Sequence, residues 1–120
     1  MPITEKYLFI VSMDVEPGFE DLFNEVYDQE HVPSLSKVPG VISATRAMVE
    51  PFPTSGETDR RYTLAKGEPT FTAIYELESP SVLVSKEWAE LAETGRWPTE
   101  VRPHTRNRRH VLRRVMTPDG

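Results

Sequence analysis

The sequence contains no cysteine and no long apolar run. With no cysteine among 120 residues, disulfides, zinc–thiolate sites, iron–sulfur clusters and a cysteine nucleophile are all excluded. No stretch approaches the roughly 20 apolar residues that span a bilayer. The stretch from Met1 to Lys6 lacks the features of a secretory signal. We therefore expect a cytoplasmic protein with no membrane partner.

The sequence also has fewer basic than acidic residues. The 14 Lys and Arg residues are outnumbered by 19 Asp and Glu residues, giving a net charge of −5. Such a surface disfavours binding to a polyanion. Six arginines are the exception, and they cluster near the C-terminus: Arg102, Arg106, Arg108, Arg109, Arg113 and Arg114. Acidic residues in the N-terminal half can pair with them. The last predicted strand also lacks the aromatics on which RNA-binding sheets stack bases. We therefore expect no nucleic-acid partner.

The length fits one domain spanning residues 1–120. Apolar and β-branched patterns predict strands over 7–13, 41–49, 70–77 and 110–116, and helices over 17–31 and 80–95. The order β-α-β-β-α-β is the ferredoxin-like arrangement, an α+β fold with a four-stranded antiparallel sheet. Residues 51–69 are rich in proline, glycine and charge and predict a long loop or extended hairpin, which would act as a lid or an intersubunit arm.

The first predicted strand, residues 7–13, is apolar without alternation. A strand with only one covered face would alternate, so this pattern predicts burial on both faces. Two helices can cover only one face of a four-stranded sheet. We expect a second copy of the chain to cover the other face, as a homodimer.

Residues 27–33 hold the most closely spaced set of side chains that can donate or accept protons. Tyr27 and His31 are four residues apart and share a helical face, and Pro33 is predicted to interrupt the helix behind them. Histidine exchanges protons near neutral pH. We interpret His31 as a catalytic base or acid that is assisted by Tyr27 and Glu30. The alternative is that His31 caps the helix C-terminus, with Glu30 and Asp28 in solvent.

Three strand residues and one helical carboxylate complete the predicted substrate-binding set. Arg46 lies on the second predicted strand, where it has two possible roles. It binds a substrate carboxylate or enolate, or it forms an ion pair with Asp28, Glu30 or a carboxylate of the partner subunit. Asp28 alternatively orients the catalytic imidazole. Tyr75 and His110, on the third and fourth strands, are predicted to line the same cavity. A haem would need His110 as its axial ligand, but no other feature favours one. We expect neither a metal site nor a cofactor.

Residues 23–33, the turn Val38-Pro39-Gly40-Val41 and Arg46 together resemble the dimeric α+β barrel superfamily, especially its EthD-like and related uncharacterised families. The resemblance implies two sheets joined into one barrel across a dimer, with a pocket in each subunit between helices and sheet. The superfamily includes cofactor-free monooxygenases, polyketide cyclases, lactone isomerases, haem enzymes and proteins with no known activity, so it does not select a reaction.

We therefore expect a homodimer that binds a small, oxygenated and partly apolar molecule. Its activity would be cofactor-independent proton transfer of the cyclase or isomerase type. Two alternatives stay open, a non-catalytic binder of the same fold and a cofactor-free monooxygenase. The sequence does not decide whether the protein is an enzyme.

Overall fold

A computed structural model describes residues 3 and 6–118. Four strands form one antiparallel sheet in the order β2-β3-β1-β4. They are β1 (Tyr7–Val15), β2 (Val41–Met48), β3 (Phe71–Leu77) and β4 (Thr105–Arg114). The order of elements confirms the predicted ferredoxin-like α+β fold.

Two groups of helical segments connect the strands. The first runs without a break through α1 (Glu20–Val26), a π-helical turn (Tyr27–His31) and α2 (Val32–Leu35). The second comprises a 3₁₀ turn (Pro80–Val84), α3 (Lys86–Leu91), a second π-helical turn (Trp97–Val101) and a 3₁₀ turn (Arg102–His104). Within the described ranges, no helix has the length and apolar character needed to cross a membrane.

Pro33 does not end the helical path but lies at the start of α2, a short segment that buries Leu35. The helix continues to Leu35 because the turn before it is π-helical, with the Val32 N–H donating to the Tyr27 carbonyl. Proline in an α-helix clashes with the carbonyl four residues earlier. The wider π turn relieves that clash, and such turns often occur at functional sites.

The predicted helix over 80–95 is divided at Ser85. This residue has extended backbone angles, and its hydroxyl caps the new helix by accepting a hydrogen bond from the Trp88 N–H at 3.1 Å. The division leaves Val84, which helical spacing would place on one face with Trp88 and Leu91, 86% exposed. The fourth strand also begins earlier than predicted, at Thr105 rather than at residue 110.

The core lies between the helices and one face of the sheet. Side chains of β3 alternate, and Phe71, Ala73, Tyr75 and Leu77 point into the core. The first helix contributes Phe23, Val26, Tyr27 and Leu35. Trp97 and Val101 reach the core from the second π-helical turn.

No described helix covers the opposite face of the sheet, which we call the open face. Leu8, Ile10, Ile74 and Val111 lie on it, as the strand register requires. Glu76 is buried there at 6% exposure and accepts a hydrogen bond from the Ser43 hydroxyl at 2.8 Å. Within a single chain, the second face of β1 is therefore only half-buried, although its sequence is apolar throughout.

Residues 49–70 contain no helix or strand. Asp59 organises the middle of this segment by accepting hydrogen bonds from the backbone N–H groups of Ser55 and Arg61. Phe52 and Tyr62 pack edge to face at 5.4 Å but are each at least half exposed. The middle of the segment is thus ordered by its own contacts, whereas its C-terminal end is held to β4 by hydrogen bonds from Asn107 and Arg109 to Gly67 and Glu68.

Candidate functional site

A cavity of about 170 Å³ lies between the sheet and the helices. Its wall is mainly apolar: aliphatic side chains of the sheet and helices line it together with five aromatic ones, Phe9, Tyr27, Tyr75, Trp88 and Trp97. Four basic side chains interrupt that wall: His31, Arg102, Arg108 and His110. Apolar walls with a few convergent polar groups are typical of small-molecule sites.

His31 reaches the cavity from the end of the first π-helical turn. Its ring stacks on Trp97 with centroids 4.5 Å apart and meets the edge of Tyr27 at 5.0 Å. The residue is 7% exposed, and its Nδ1 has no hydrogen-bond partner within the described chain. Burial lowers the pKa of His31 to about 4, and the nearby Arg102 charge contributes in the same direction. The imidazole is therefore neutral at pH 7.

Two phenols lie beside that imidazole. Tyr75 is completely buried, and its hydroxyl has no hydrogen-bond partner of acceptable geometry, although Tyr27 is close enough to influence its ionisation. Burial raises the pKa of Tyr75 far above its ordinary value and raises that of Tyr27 to about 12. Both phenols therefore stay protonated and can exchange hydrogen bonds with a ligand, but they do not act as anions.

The fourth strand brings His110 and Arg108 to the same wall. His110 pairs with Val11 of β1, and its ring lies 6.0 Å from Phe9. A bulge separates this register from the start of the strand, and Asn107 adopts a left-handed conformation there, with φ 52°. Bulges redirect the side chains beside them. Burial lowers the pKa of His110, and the Arg108 charge lowers it further.

The two cavity arginines differ in their partners. Arg102 is held by Glu93, whose two carboxylate oxygens accept hydrogen bonds from its guanidinium. Arg108 has no ion pair or hydrogen bond with any residue the structure describes. It is exposed, so it lies where the cavity meets solvent.

The remaining predicted site residues lie outside the cavity. Glu30 accepts hydrogen bonds from the backbone N–H of Arg96 at 2.9 Å and from its guanidinium Nε at 2.6 Å. Arg46 donates to Asp28 at 2.9 Å and to Asn24 at 2.8 Å. Of the predicted set, the cavity therefore brings together Tyr27, His31, Tyr75 and His110. It does not include Glu30, Asp28 or Arg46.

The arrangement around Arg46 matches the ion-pair alternative. Its guanidinium carbon lies 5.0 Å from the ring centre of Tyr27 and 5.5 Å from that of Phe23. The arginine thus contacts the far side of Tyr27, away from the cavity, and its charge already has the Asp28 carboxylate as a partner. Among the residues described, no cluster of three His, Asp or Glu side chains has the geometry to hold a metal ion.

Arg108 is the cavity residue that sequence reasoning did not propose. Alternate strand residues share a face, so Arg108 follows directly from the placement of His110. The signal was missed because the fourth strand was predicted to begin at residue 110. Trp97 reaches the same wall because the second π-helical turn buries it against His31.

The fold has a counterpart among solved structures. A crystal structure of an ethyl tert-butyl ether D (EthD) family protein from Bacillus halodurans C-125 has a TM-score of 0.59, with 10% sequence identity over 92% of this chain and 99% of that one. The chain has an EthD-like fold. The resemblance predicted from residues 23–33 is thereby confirmed for the fold, and at this identity it carries no activity with it. No family model and no curated protein matches the sequence.

Proposed function

We propose that the protein binds a small, partly apolar, oxygen-bearing molecule in the cavity beside His31. The observation that supports this function best is that two residues of the cavity wall, His31 and Tyr75, each carry a buried polar atom without a hydrogen-bond partner in the described chain, His31 Nδ1 and the Tyr75 hydroxyl. A buried polar group without a partner costs roughly 1–3 kcal/mol. A ligand oxygen or hydroxyl placed between these groups would recover that cost.

The size and wall of the cavity agree with such a ligand. A dry apolar cavity of about 150 Å³ accommodates benzene, so 170 Å³ suits one six-membered ring or an aliphatic body of similar size. Trp97 and Trp88 supply aromatic surface on the helix side, and Phe9 supplies it on the sheet side. Apolar burial supplies affinity, while His31 and Tyr75 fix orientation.

Cyclohexanone is a suitable probe because it is small and apolar and carries one oxygen. We expect millimolar cyclohexanone to shift the NMR signals of His31 and Trp97. Replacing Tyr75 by Phe should weaken its binding several-fold, because one hydrogen-bond donor is lost. Ser43→Ala, which removes a hydroxyl on the open face, is the matched control and should leave binding unchanged. Shifts spread evenly over the surface, or equal effects of both variants, would contradict a cavity site.

Cofactor-independent proton transfer is a second candidate function. The neutral His31 imidazole can accept a proton, and its Nδ1 is unoccupied by any described group. In D2O, a catalytic base should accelerate exchange of the protons beside the cyclohexanone carbonyl. General-base catalysis typically contributes 10²–10⁴-fold, and this acceleration should disappear in His31→Phe. Binding of cyclohexanone without accelerated proton exchange would indicate that the protein is a non-catalytic binder.

We also propose that the active species is a homodimer joined through the open face. Leu8, Ile10 and Ile74 form an apolar patch on it that no described helix covers. Light scattering at micromolar concentration should give twice the 13.7 kDa chain mass, and Ile10→Lys should give a monomer. Val84→Lys adds the same charge at a residue already 86% exposed and should stay dimeric. A monomeric unmodified protein would rule out this assembly. A cytoplasmic location without nucleic-acid partners stays a prediction from the sequence.

A further inference from the structure

The arginines that surround the fold are mostly neutralised by carboxylates. Arg106 pairs with Glu16, Arg109 pairs with Glu68 and Arg102 pairs with Glu93. Arg108 lies on the same strand as the first two but faces the cavity, where the described chain offers it no carboxylate. An arginine beside an apolar cavity, with its five donors unused, is a site for an anionic oxygen pair.

On the basis of the binding function proposed above, we propose that the ligand is a planar monocyclic carboxylate whose carboxylate oxygens are bound by Arg108. The guanidinium presents two parallel N–H groups, which match the two oxygens of a carboxylate. This assignment gives the anion-binding role, which was one of the two alternatives for Arg46, to a residue whose charge has no partner in the described chain.

The aromatic walls favour a planar body for the ligand. His31 stacks on Trp97 at an interplanar angle of 26°, so the two rings form a rigid aromatic pair in one wall. Trp88 meets Phe9 at 78° and Tyr75 at 83° and closes the cavity with ring edges. A volume of 170 Å³ leaves room for one ring and a small substituent.

The charges around the cavity also favour an anion. Arg108 and Arg102 both line it, whereas the described residues that line it include no carboxylate and Glu93, whose charge acts on His31, is already bound to Arg102. The positive field of Arg108 disfavours protonation of both His31 and His110. A bound carboxylate would neutralise that field and complete the charge balance of the site.

Benzoate and benzamide provide a direct test because they share a ring and a shape but differ in charge. The chain has two tryptophans, Trp88 and Trp97, and both line the cavity, so tryptophan fluorescence reports its occupancy without background. We expect benzoate to bind more tightly than benzamide. Arg108→Gln should raise the Kd for benzoate by at least about 10-fold, since a charged hydrogen bond is lost, and change that for benzamide less than about twofold.

Arg109→Gln is the matched control, because it removes the same charge from the adjacent residue on the opposite face of β4. It should leave benzoate binding unchanged. Equal weakening by both variants, or equal weakening of both ligands by Arg108→Gln, would overturn the assignment. If benzamide binds and benzoate does not, the cavity is a binding site but not one for carboxylates. If neither ligand changes the fluorescence, the proposed binding function fails as well.

Discussion

The imidazoles of His31 and His104 occupy two regions with opposite hydrogen-bonding environments. Both rings stack on an aromatic neighbour, His31 on Trp97 at 4.5 Å and His104 on Phe19 at 3.7 Å. His104 Nδ1 also lies 2.8 Å from a Glu16 carboxylate oxygen. His31 Nδ1 has no such partner in the described chain, although it is the more deeply buried of the two.

The comparison teaches that the hydrogen-bond partner, and not the aromatic contact, separates a structural side chain from one available to a ligand. The same contrast recurs for hydroxyl groups, since the Tyr75 hydroxyl has no hydrogen-bond partner of acceptable geometry among the described residues whereas the Ser43 hydroxyl donates to Glu76. Polar groups with internal partners stabilise the fold. Those without partners lie together in one cavity, where a ligand would complete them.

The largest expected effect is on the pH dependence of stability. The folded-state pKa of His31, about 4, lies below its ordinary value of 6.5, so the unfolded chain binds a proton first and acidification destabilises the fold. Between pH 6.5 and 4.5 the free energy of unfolding of the unmodified protein should fall by about 2 kcal/mol more than that of His31→Phe. Urea unfolding at several pH values measures this difference.

His104→Phe is the control for that series, because it removes a histidine from the paired region. The free energy of unfolding of this variant should still fall between pH 6.5 and 4.5, because His31 is still present. Carboxylates such as Glu16, whose pKa is lowered by its hydrogen bond to His104, lose their contribution only below their ordinary pKa of 4.5 and so fall outside this range. Parallel stability curves for the unmodified protein and His31→Phe would show that His31 is not buried in its neutral form.

The next effect concerns the two hydroxyls. Tyr75→Phe should raise the free energy of unfolding by about 1 kcal/mol, because it removes a buried hydroxyl without a partner. Ser43→Ala should lower it by about 1 kcal/mol, since it removes a hydrogen bond to the buried Glu76. Denaturant unfolding without ligand measures both. A loss of stability in Tyr75→Phe would mean that its hydroxyl is satisfied in solution.

The smallest expected effect is the difference in stability between the variants Arg46→Ala and Arg108→Ala. Arg46→Ala should cost about 1 kcal/mol, mainly through lost stacking on Tyr27 and Phe23, because its exposed pair with Asp28 contributes little. Arg108→Ala should change stability by less than about 0.5 kcal/mol. Thermal unfolding of the two variants checks the order. A larger loss for Arg108→Ala would indicate an internal role and weaken its assignment to a ligand.

Much of the fold could be predicted from the sequence because its signals are local. Runs of apolar residues located β1, β2 and β3 to within two residues at each end. The fourth strand was harder to predict because Thr105–Arg114 is mostly exposed and basic, without an apolar pattern at its start. Its first half is a strand because it pairs with β1 across a bulge, which is a contact between distant parts of the chain.

The candidate site was likewise predicted where its residues are related by local spacing and not where they depend on distant contacts. The spacing of Tyr27 and His31 placed both on one helical face, and the structure shows their rings in contact. Glu30 was grouped with them because it is adjacent in sequence, but it points to Arg96, 66 positions along the chain. No local pattern identifies that partner.

The sequence by itself determined the order of elements, the single apolar core and the helical face that carries Tyr27 and His31, because these depend on periodicity and neighbouring residues. Only the tertiary structure decided which polar groups have partners. Carboxylates from other segments neutralise Arg46, Arg96 and Arg106, whereas no described carboxylate reaches Arg108. The physical reason is that hydrogen bonds and ion pairs act over a few ångströms, and only folding brings residues separated in sequence within that distance.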